Sequence, residues 1–399
     1  MNQFFDQPIP PRVGVEVEKW DLMGPNPQPG VVPLSVADME FRSPPAIVQA
    51  LEEMARSGLW GYAGWSDRYY NAIRSWVSRR YGWEIQRDWI IRTTGVVHGI
   101  NAAVRAFTQP GDGIVIQTPV YPPFYRAVRE NGRTLLENPL KLVDGHYEMD
   151  FDDLEDKLSR PTTTAMILCS PHNPVGRVWT RAELQRVGDL CLAHGVFLIS
   201  DEIHCDLCQP EHPHTVYASL GEEYAKHCVI GMAASKTFSL AGLACGNMIV
   251  PDGDNKAKLE AEVARSGAYS NSSFGTLALE VGYEQCEPWV EQLVDYLKEN
   301  DHYLRNFMAQ HFPKVWIAPL EGTYLSWIDF SSFGLDDKAL ADFMEQEAQL
   351  YLSHGINYGG SGFMRLNLAC SRDVLAAALE RLLAAAQRRG LVQTIPTPI

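Results

Sequence analysis

The sequence predicts an α/β domain, in which helices cover both faces of a mostly parallel sheet, followed by a smaller α+β domain. Three observations lead to this prediction. Short continuous apolar runs recur between residues 89 and 250, as expected for strands that are buried on both faces of a sheet. Helical patterns lie between several of these runs, and the alternation stops after about residue 285.

The first 45 residues are rich in proline and glycine, which predicts an extended arm rather than a folded unit. We expect this arm, residues 1–45, to contribute to the smaller domain. A helical pattern then begins at Pro44 and ends near Gly58, with apolar residues at helical spacing between them.

The large domain is predicted to span residues 46–285. Helices are predicted within it at about 97–107 and 181–194. Its candidate strands lie, in chain order, at 89–93, 113–117, 164–169, 196–200, 228–232 and 246–250.

The small domain is predicted to span residues 286–399. It begins with a long helical pattern at about 288–310 and ends with another at 372–388. Two short strand patterns, at about 323–328 and 363–368, lie between these helices.

Composition excludes several classes of function. Hydrophobic residues make up 46% and charged residues 21% of the chain, as in ordinary globular proteins. The net charge of −15 argues against binding to nucleic acid. No apolar stretch reaches the roughly 20 residues of a membrane span, and the N-terminus lacks the basic and apolar regions of a secretory signal. We therefore expect a cytoplasmic protein with no nucleic-acid or membrane partner.

The cysteines predict neither disulfides nor a metal site. Eight cysteines are scattered along the chain, several inside apolar runs, and buried free thiols explain this better than a disulfide framework. The densest group of metal-ligating residues lies at 204–208 (HCDLC), without a second ligand pair at suitable spacing.

Two charged residues follow buried strand patterns, where parallel α/β sheets bind their ligands. Asp201 comes directly after one strand, and Lys236 follows the next within a run of small and apolar residues. Burial lowers the pKa of an amine, and the neutral amine is the form that attacks a carbonyl. Each residue alone also fits a structural role, as a salt-bridged carboxylate and a surface lysine.

Two further strand ends carry polar features. Asn173 lies between two prolines in the segment 170–176 (SPHNPVG), and the prolines restrict where its amide points. The turn 94–97 (TGVV) joins a strand to a helix, where free backbone N–H groups can hold a phosphate. All four signals fall on the same predicted edge of the sheet.

Seven segments give the chain a resemblance to the fold-type-I pyridoxal-phosphate superfamily, which has the aspartate-aminotransferase fold. Within it the chain is most similar to MalY/PatB-type cystathionine β-lyases, and the similarity covers almost the whole chain. The matching segments are 19–21 (KWD), 36–41 (VADMEF), 119–124 (PVYPPF), 171–176 (PHNPVG), 200–204 (SDEIH), 235–238 (SKTF) and 362–367 (GFMRLN).

This resemblance implies pyridoxal 5′-phosphate as the cofactor and a role for five residues. Lys236 would carry the cofactor as a Schiff base and then move the proton of the substrate Cα. Asp201 would pair with the pyridine nitrogen and keep the ring an electron sink. Asn173 would donate a hydrogen bond to the ring oxygen and border the substrate, and Tyr121 would stack on the ring. Arg365 would bind the substrate carboxylate through two parallel hydrogen bonds.

The resemblance also implies a phosphate site and a homodimer. The backbone N–H groups of Gly95, Val96 and Val97, with Ser235, would bind the cofactor phosphate. Tyr62 resembles the tyrosine that reaches the phosphate and substrate of the neighbouring subunit, which implies composite active sites.

Several positions depart from the family pattern. Ala233 stands where a phosphate-binding serine is often found, and Ala244 replaces an arginine of many aminotransferases. Ser35 and Ser239 replace a tryptophan and an asparagine, which bears on the substrate range. His204, beside the cofactor, is expected to pack or to hydrogen-bond beneath it rather than to contact substrate.

The predicted reaction is an α,β-elimination on a small amino acid. L-Cystathionine or a related cysteine S-conjugate would yield a thiol, pyruvate and ammonia. An aminotransferase of class I/II is the alternative, because it uses the same residues and differs only in where the proton returns. A regulatory protein that retains the fold and cofactor is a third hypothesis, which the presence of Lys236, Asp201, Asn173 and Arg365 together disfavours.

Overall fold

The computed structural model describes residues 2–64, 66–268 and 271–392. Within them the chain forms thirteen strands and fourteen α-helices. The strands are β1 (Ile90–Thr93), β2 (Gly113–Thr118), β3 (Thr134–Pro139), β4 (Lys141–Val143), β5 (His146–Glu148), β6 (Thr163–Cys169), β7 (Phe197–Asp201), β8 (Cys228–Met232), β9 (Gly246–Ile249), β10 (Trp316–Ile317), β11 (Leu325–Asp329), β12 (Ser353–His354) and β13 (Phe363–Asn367).

The helices alternate with the strands through the first two thirds of the chain. They are α1 (Glu18–Asp21), α2 (Pro45–Ser57), α3 (Asp67–Tyr81), α4 (Val96–Phe107), α5 (Pro122–Arg129), α6 (Phe151–Leu158), α7 (Arg181–His194), α8 (Glu222–Lys226), α9 (Ala234–Thr237), α10 (Gly253–Arg265), α11 (Ser273–Gln285), α12 (Glu287–His311), α13 (Asp337–Asp342) and α14 (Arg372–Arg389). Among the described residues, no helix is both long and apolar enough to cross a membrane.

A seven-stranded sheet forms the centre of the molecule, in the order β1-β9-β8-β7-β6-β2-β3. The five strands from β8 to β3 are parallel, and β9 and β1 close one edge with antiparallel pairs. This confirms the predicted mostly parallel sheet. The six predicted strands are present, with ends that differ by at most one residue, and β3 is a seventh that we did not predict.

Side-chain alternation along the strands explains the continuous apolar runs. In β6, Ala165 and Ile167 belong to the hydrophobic cluster of α4, α5 and α10, whereas Met166 and Leu168 belong to the cluster of α6 and α7. Successive side chains of a strand point to opposite faces, so a sheet covered on both faces requires apolar residues at nearly every position.

The smaller sheet is antiparallel, in the order β10-β11-β13-β12, and helices α12 and α14 accompany it. We predicted only β11 and β13, because two-residue strands carry no periodicity. The division of the chain after residues 45 and 285 stays a prediction.

The N-terminal arm contains one helical turn but is firmly packed. Phe5 and Trp20 are buried, and the buried Lys19 donates a 2.8 Å hydrogen bond to the Asp38 carbonyl and lies 3.1 Å from Glu40. The arm also joins the smaller sheet, since the Asn367 N–H donates to the Leu34 carbonyl at 2.9 Å and the Glu40 N–H donates to that of Ala369 at 2.7 Å. The arm is therefore held in place by buried side chains and backbone hydrogen bonds.

Candidate active site

Three adjacent parallel strands bring the predicted residues to one edge of the central sheet. Cys169 at the end of β6 is paired with Asp201 at the end of β7, and Asp201 is paired with Gly231 near the end of β8. The segments that follow these strands carry Asn173 and Lys236. Because the three strands are parallel and in register, these segments emerge at the same edge.

Lys236 lies in the single helical turn α9, which follows β8 almost directly. Its side chain is partly buried, and Nζ donates a 2.7 Å hydrogen bond to the Ala37 carbonyl. Burial lowers the pKa of Lys236, although Asp38 and Asp201 oppose this effect by attracting its positive charge. The amine is therefore nearer to its neutral, nucleophilic form than a surface lysine is.

The Asp201 carboxylate is only 4% exposed and accepts a hydrogen bond from the Ile203 N–H at 3.2 Å. Burial raises its pKa to about 7, and the positive charge of Lys236 opposes this rise. The residue is thus suited to a cationic partner that would keep it ionised.

Asn173 and Arg365 form a pair on the side of the site towards the smaller sheet. Both are buried, and Arg365 Nη1 donates to Asn173 Oδ1 at 3.0 Å. Arg365 Nη2 donates to the Ser35 carbonyl and to Ser353 Oγ, each at 3.1 Å, and the guanidinium lies 4.7 Å from the centre of the Tyr358 ring. These contacts hold the guanidinium in one plane, as two-pronged carboxylate binding requires.

The N-terminus of α4 offers backbone N–H groups at the same edge. The N-cap residue Gly95 has no capping side chain, so the first-turn amides of Val96 and Val97 have no partner within the helix. Gly246 of β9 packs against this turn, and a Cβ at Gly246 would lie 2.8 Å from the Gly95 Cα. Ser235, in α9, is partly buried, and the neighbouring Ala233 has no hydroxyl to contribute.

Tyr121 and His204 lie within the same site. Burial raises the pKa of Tyr121 to about 12, and the negative charge of Asp201 adds to this rise. His204 is buried, its ring packs edge-on against Tyr324 at 5.8 Å, and burial lowers its pKa well below the usual range. The imidazole is therefore neutral, and its Nδ1 has no hydrogen-bond partner among the described residues.

Tyr62 is the one predicted residue that lies apart from the others. It is fully exposed, in the loop between α2 and α3. Among the described residues of this chain, Tyr62 makes no contact with the cluster around Lys236.

Sequence reasoning missed the backbone carbonyls that line the site. The Ala37 carbonyl accepts hydrogen bonds from Lys236 and, at 2.7 Å, from the Tyr324 hydroxyl. Asn367 Nδ2 donates to the carbonyls of Val36 and Asp38, at 2.8 and 2.7 Å. The segment 36–41 matched the family, but a carbonyl acceptor leaves no signature in residue type.

The chain is similar to known proteins over nearly all its length. Residues 29–382 match the family described as Aminotransferase class I and II. The chain is 43% identical over 379 residues to cystathionine beta-lyase PatB of Bacillus subtilis (strain 168), covering 94% of this chain and 97% of that protein. It is 34% identical over 360 residues to protein MalY of Escherichia coli (strain K12), covering 88% of this chain and 91% of that protein.

Among solved structures, the chain is similar to cystalysin from Treponema denticola, a structure that contains a pyridoxal 5′-phosphate cofactor. The two share a TM-score of 0.93 and 38% sequence identity, over 98% of this chain and 100% of that chain. Both the fold and the arrangement of strands at the site edge therefore have a close counterpart of known structure.

Proposed function

The chain belongs to the aminotransferase class I and II family, and from this premise we propose that it is a pyridoxal-phosphate-dependent C–S β-lyase. It cleaves L-cystathionine or related cysteine S-conjugates to a thiol, pyruvate and ammonia by α,β-elimination. The observation that carries this proposal is the convergence of Lys236, Asp201, Asn173 and Arg365 at one sheet edge, in a chain so similar to a cystathionine β-lyase.

The residues at this edge fit pyridoxal phosphate. The buried Asp201 carboxylate, with its raised pKa, suits a protonated pyridine nitrogen, which would hold it ionised. At the other end, the uncapped first turn of α4 supplies N–H donors and a positive helix end for a phosphate. Lys236 supplies a primary amine with a lowered pKa for the cofactor aldehyde.

Lys236 has two tasks in this proposal. When bound, pyridoxal phosphate supplies an electron sink for the negative charge that develops at the substrate Cα. The Lys236 amine holds the cofactor until substrate arrives, and it then removes the Cα proton as a base. A lowered pKa favours both tasks, because each requires an unprotonated amine at neutral pH.

Arg365 and Asn173 orient the amino-acid substrate. The guanidinium binds the α-carboxylate, and Asn173 Oδ1 fixes the guanidinium from one side at 3.0 Å. Because its oxygen accepts from Arg365, the Asn173 amide would have its N–H groups left to donate to the ring oxygen of the cofactor. The β-sulfur then leaves as a thiol, and water converts the remaining fragment to pyruvate and ammonia.

The protein is a homodimer with composite sites in this proposal. Leu59, Trp60 and Tyr62 are exposed in one short loop, at 79%, 65% and essentially full exposure. Trp60 stacks on Phe274 at 5.5 Å, so the loop presents an ordered aromatic surface. Such surfaces are typical of interfaces, and a partner bound here would bring Tyr62 to the neighbouring active site.

The cysteines support a cytoplasmic location. All eight are free, and seven are buried. Because free thiols are maintained mainly in reducing compartments, we place the enzyme in the cytoplasm.

The test is pyruvate release from L-cystathionine by purified protein with added pyridoxal phosphate and no keto acid. We expect pyruvate and thiol in equal amounts, and no release by Lys236→Ala. Lys258→Ala, which removes an exposed lysine of α10, is the matched control and should behave as wild type. Product formation only when a keto acid is added would identify an aminotransferase instead.

A further inference from the structure

A buried carboxylate next to the site accepts hydrogen bonds from three side chains and forms an ion pair with a fourth. Asp206 is 2% exposed, and its Oδ1 accepts hydrogen bonds from the Trp76 indole at 3.0 Å and from the Tyr81 hydroxyl. The Arg80 guanidinium lies 3.3 Å from the same oxygen. Oδ2 accepts from the Thr237 hydroxyl at 2.6 Å, the length of a charge-assisted O–H···O⁻ bond.

These contacts connect three elements that lie beside one edge of the large sheet. Asp206 lies in a short 3₁₀ turn that follows Asp201 and β7. Its partners Trp76, Arg80 and Tyr81 are all in the last turns of α3. Thr237 is the last residue of α9 and the neighbour of Lys236. A single carboxylate therefore ties the Asp201 loop, α3 and the lysine-bearing turn together.

From this arrangement we propose that Asp206, acting through the Thr237 hydroxyl, positions Lys236 for its reaction with cofactor and substrate. The inference rests on the proposed function, in that Lys236 is taken as the cofactor lysine. Asp206 touches neither cofactor nor substrate in this proposal, so it is a positioning residue and not a catalytic one.

The geometry of a helical turn explains how the bond acts. Neighbouring residues of a helix point about 100° apart, so fixing the direction of Thr237 also fixes the direction of Lys236. Helix α9 has only four residues and cannot hold its own orientation. Since Asp206 and Asp201 share one short loop, the same bond also sets the position of Lys236 relative to Asp201.

The charge of Asp206 strengthens this anchor. Both oxygens are removed from solvent. A hydrogen bond to an ionised acceptor is about twice as strong as one between neutral groups. Arg80 provides the balancing positive charge at 3.3 Å, with its guanidinium 5.2 Å from the centre of the Trp76 ring. The carboxylate is thus held from the α3 side, and its other oxygen accepts the hydrogen bond from the Thr237 hydroxyl.

Three threonine variants test the proposal. Thr237→Val removes the hydroxyl and keeps the branched shape, whereas Thr237→Ser keeps the hydroxyl. Thr108→Val is the matched control, because Thr108 is equally buried and donates a 2.5 Å hydrogen bond to the Val104 carbonyl at the far end of α4.

The first measurement requires no bound cofactor. The pH dependence of Lys236 acylation in the apoprotein, followed by peptide mass spectrometry, gives the pKa of the amine. We expect Thr237→Val to raise this pKa towards that of an ordinary lysine, because Nζ is no longer held in its buried position. Thr237→Ser and Thr108→Val should keep the wild-type value.

The second measurement is steady-state pyruvate formation. We expect Thr237→Val to lower kcat about tenfold or more, with a smaller change in KM, because misplacing a reacting group affects chemistry more than binding. Thr237→Ser should recover most of the loss. A Thr237→Val protein with wild-type Lys236 pKa and kcat, or equal losses in Thr108→Val, would overturn the proposal.

Two further variants keep the test decisive. If Thr237→Val does not fold, Asp206→Asn removes the charge of the group that accepts the Thr237 hydrogen bond. A wild-type Lys236 pKa and kcat in that variant would also overturn the proposal. Lys236→Ala separates this inference from the proposed function. If Lys236→Ala still releases pyruvate, the proposed function fails; if it is inactive while Thr237→Val behaves as wild type, only the positioning role fails.

Discussion

At the scale of single residues, the site contains two ionisable side chains whose charged forms are disfavoured by burial. Burial lowers the pKa of Lys236 and raises that of Asp201 to about 7. Both shifts reduce the stability of the ionised protein when no cofactor is bound. In the proposed function, the same shifts favour nucleophilic attack by the Lys236 amine and a cationic partner for the Asp201 carboxylate.

The raised pKa of Asp201 predicts how stability depends on pH. In the folded apoprotein Asp201 keeps its proton up to about pH 7, whereas in the unfolded chain it releases it near pH 4. The folded state thus binds more protons between these values, and this group lowers stability as the pH rises. Asp201→Asn removes the effect, so its stability relative to wild type should increase by on the order of 3 kcal/mol between pH 5 and pH 8.

Urea unfolding of the two apoproteins at both pH values measures this difference. A stability difference between Asp201→Asn and wild type that is the same at pH 5 and pH 8 would contradict the assignment of the raised pKa to Asp201.

Arg365 predicts a specific loss on replacement by lysine. Its two Nη atoms already donate to Asn173 and to Ser35, a planar arrangement that an ammonium group cannot reproduce. We expect Arg365→Lys to lower kcat/KM about 10- to 100-fold, mainly through KM, because a charged hydrogen-bonding pair is lost. Arg372→Lys, which alters an arginine bonded to Asn300 at 2.8 Å in the smaller domain, is the control. Equal losses in both variants would argue against carboxylate binding by Arg365.

At the scale of elements, the site depends on how closely β9 approaches the first turn of α4. Gly246 permits this approach, because a Cβ there would lie 2.8 Å from the Gly95 Cα and 3.0 Å from the Val96 nitrogen. Contacts of this length are with backbone atoms, which cannot move aside as a flexible side chain can. Because Gly246 has no side chain, β9 can pack directly against the proposed phosphate-binding turn and fix its position.

Gly246→Ala should therefore affect both stability and cofactor binding. We expect a loss of about 1–3 kcal/mol in unfolding free energy and weaker binding of pyridoxal phosphate, since the turn is displaced. Gly253→Ala, at the start of α10, meets nothing within 4 Å and is the matched control. Denaturant unfolding and absorbance titration of the apoprotein provide the two measurements, and unchanged cofactor affinity in a destabilised Gly246→Ala would separate β9 from the phosphate site.

At the scale of the whole molecule, the site joins three distant parts of the chain. The segment around Ala37 belongs to the N-terminal arm, Lys236 to the large sheet and Arg365 to the small one. Hydrogen bonds of 2.7 Å from Lys236 to Ala37 and of 3.1 Å from Arg365 to Ser35 connect all three. The N-terminal arm therefore lines one side of the site.

The proposed dimer adds a fourth part, and mixed dimers test it. If Tyr62 serves the neighbouring site, a dimer of one Tyr62→Ala and one Lys236→Ala subunit has one intact site. Random mixing of two inactive variants should then restore about a quarter of the wild-type activity. Mixtures of Lys236→Ala with Arg365→Ala should restore none, because both residues belong to the same site of one chain. Equal recovery in both mixtures, or none in either, would contradict the composite site.

Sequence reasoning was accurate where local pattern and chemistry coincide. The buried strands appeared as continuous apolar runs, and the segments that follow them marked Asp201, Lys236 and Asn173 as candidate site residues. It missed β3, β4 and β5, whose exposed or partly exposed residues carry no continuous apolar run, and the two-residue strands β10 and β12. The roles of the site residues stay predictions until the variants are measured.

The sequence by itself determined the fold class, the family and the edge of the sheet where the candidate site lies, because periodicity and residue type are local properties. Only the tertiary structure placed the carbonyls of Ser35 and Ala37 beside Arg365 and Lys236, and Asp206 beside Thr237. These contacts join residues that are 31 to 330 positions apart. A backbone carbonyl is the same group in every residue, and a buried aspartate does not reveal its partner, so only packing of the whole chain could decide them.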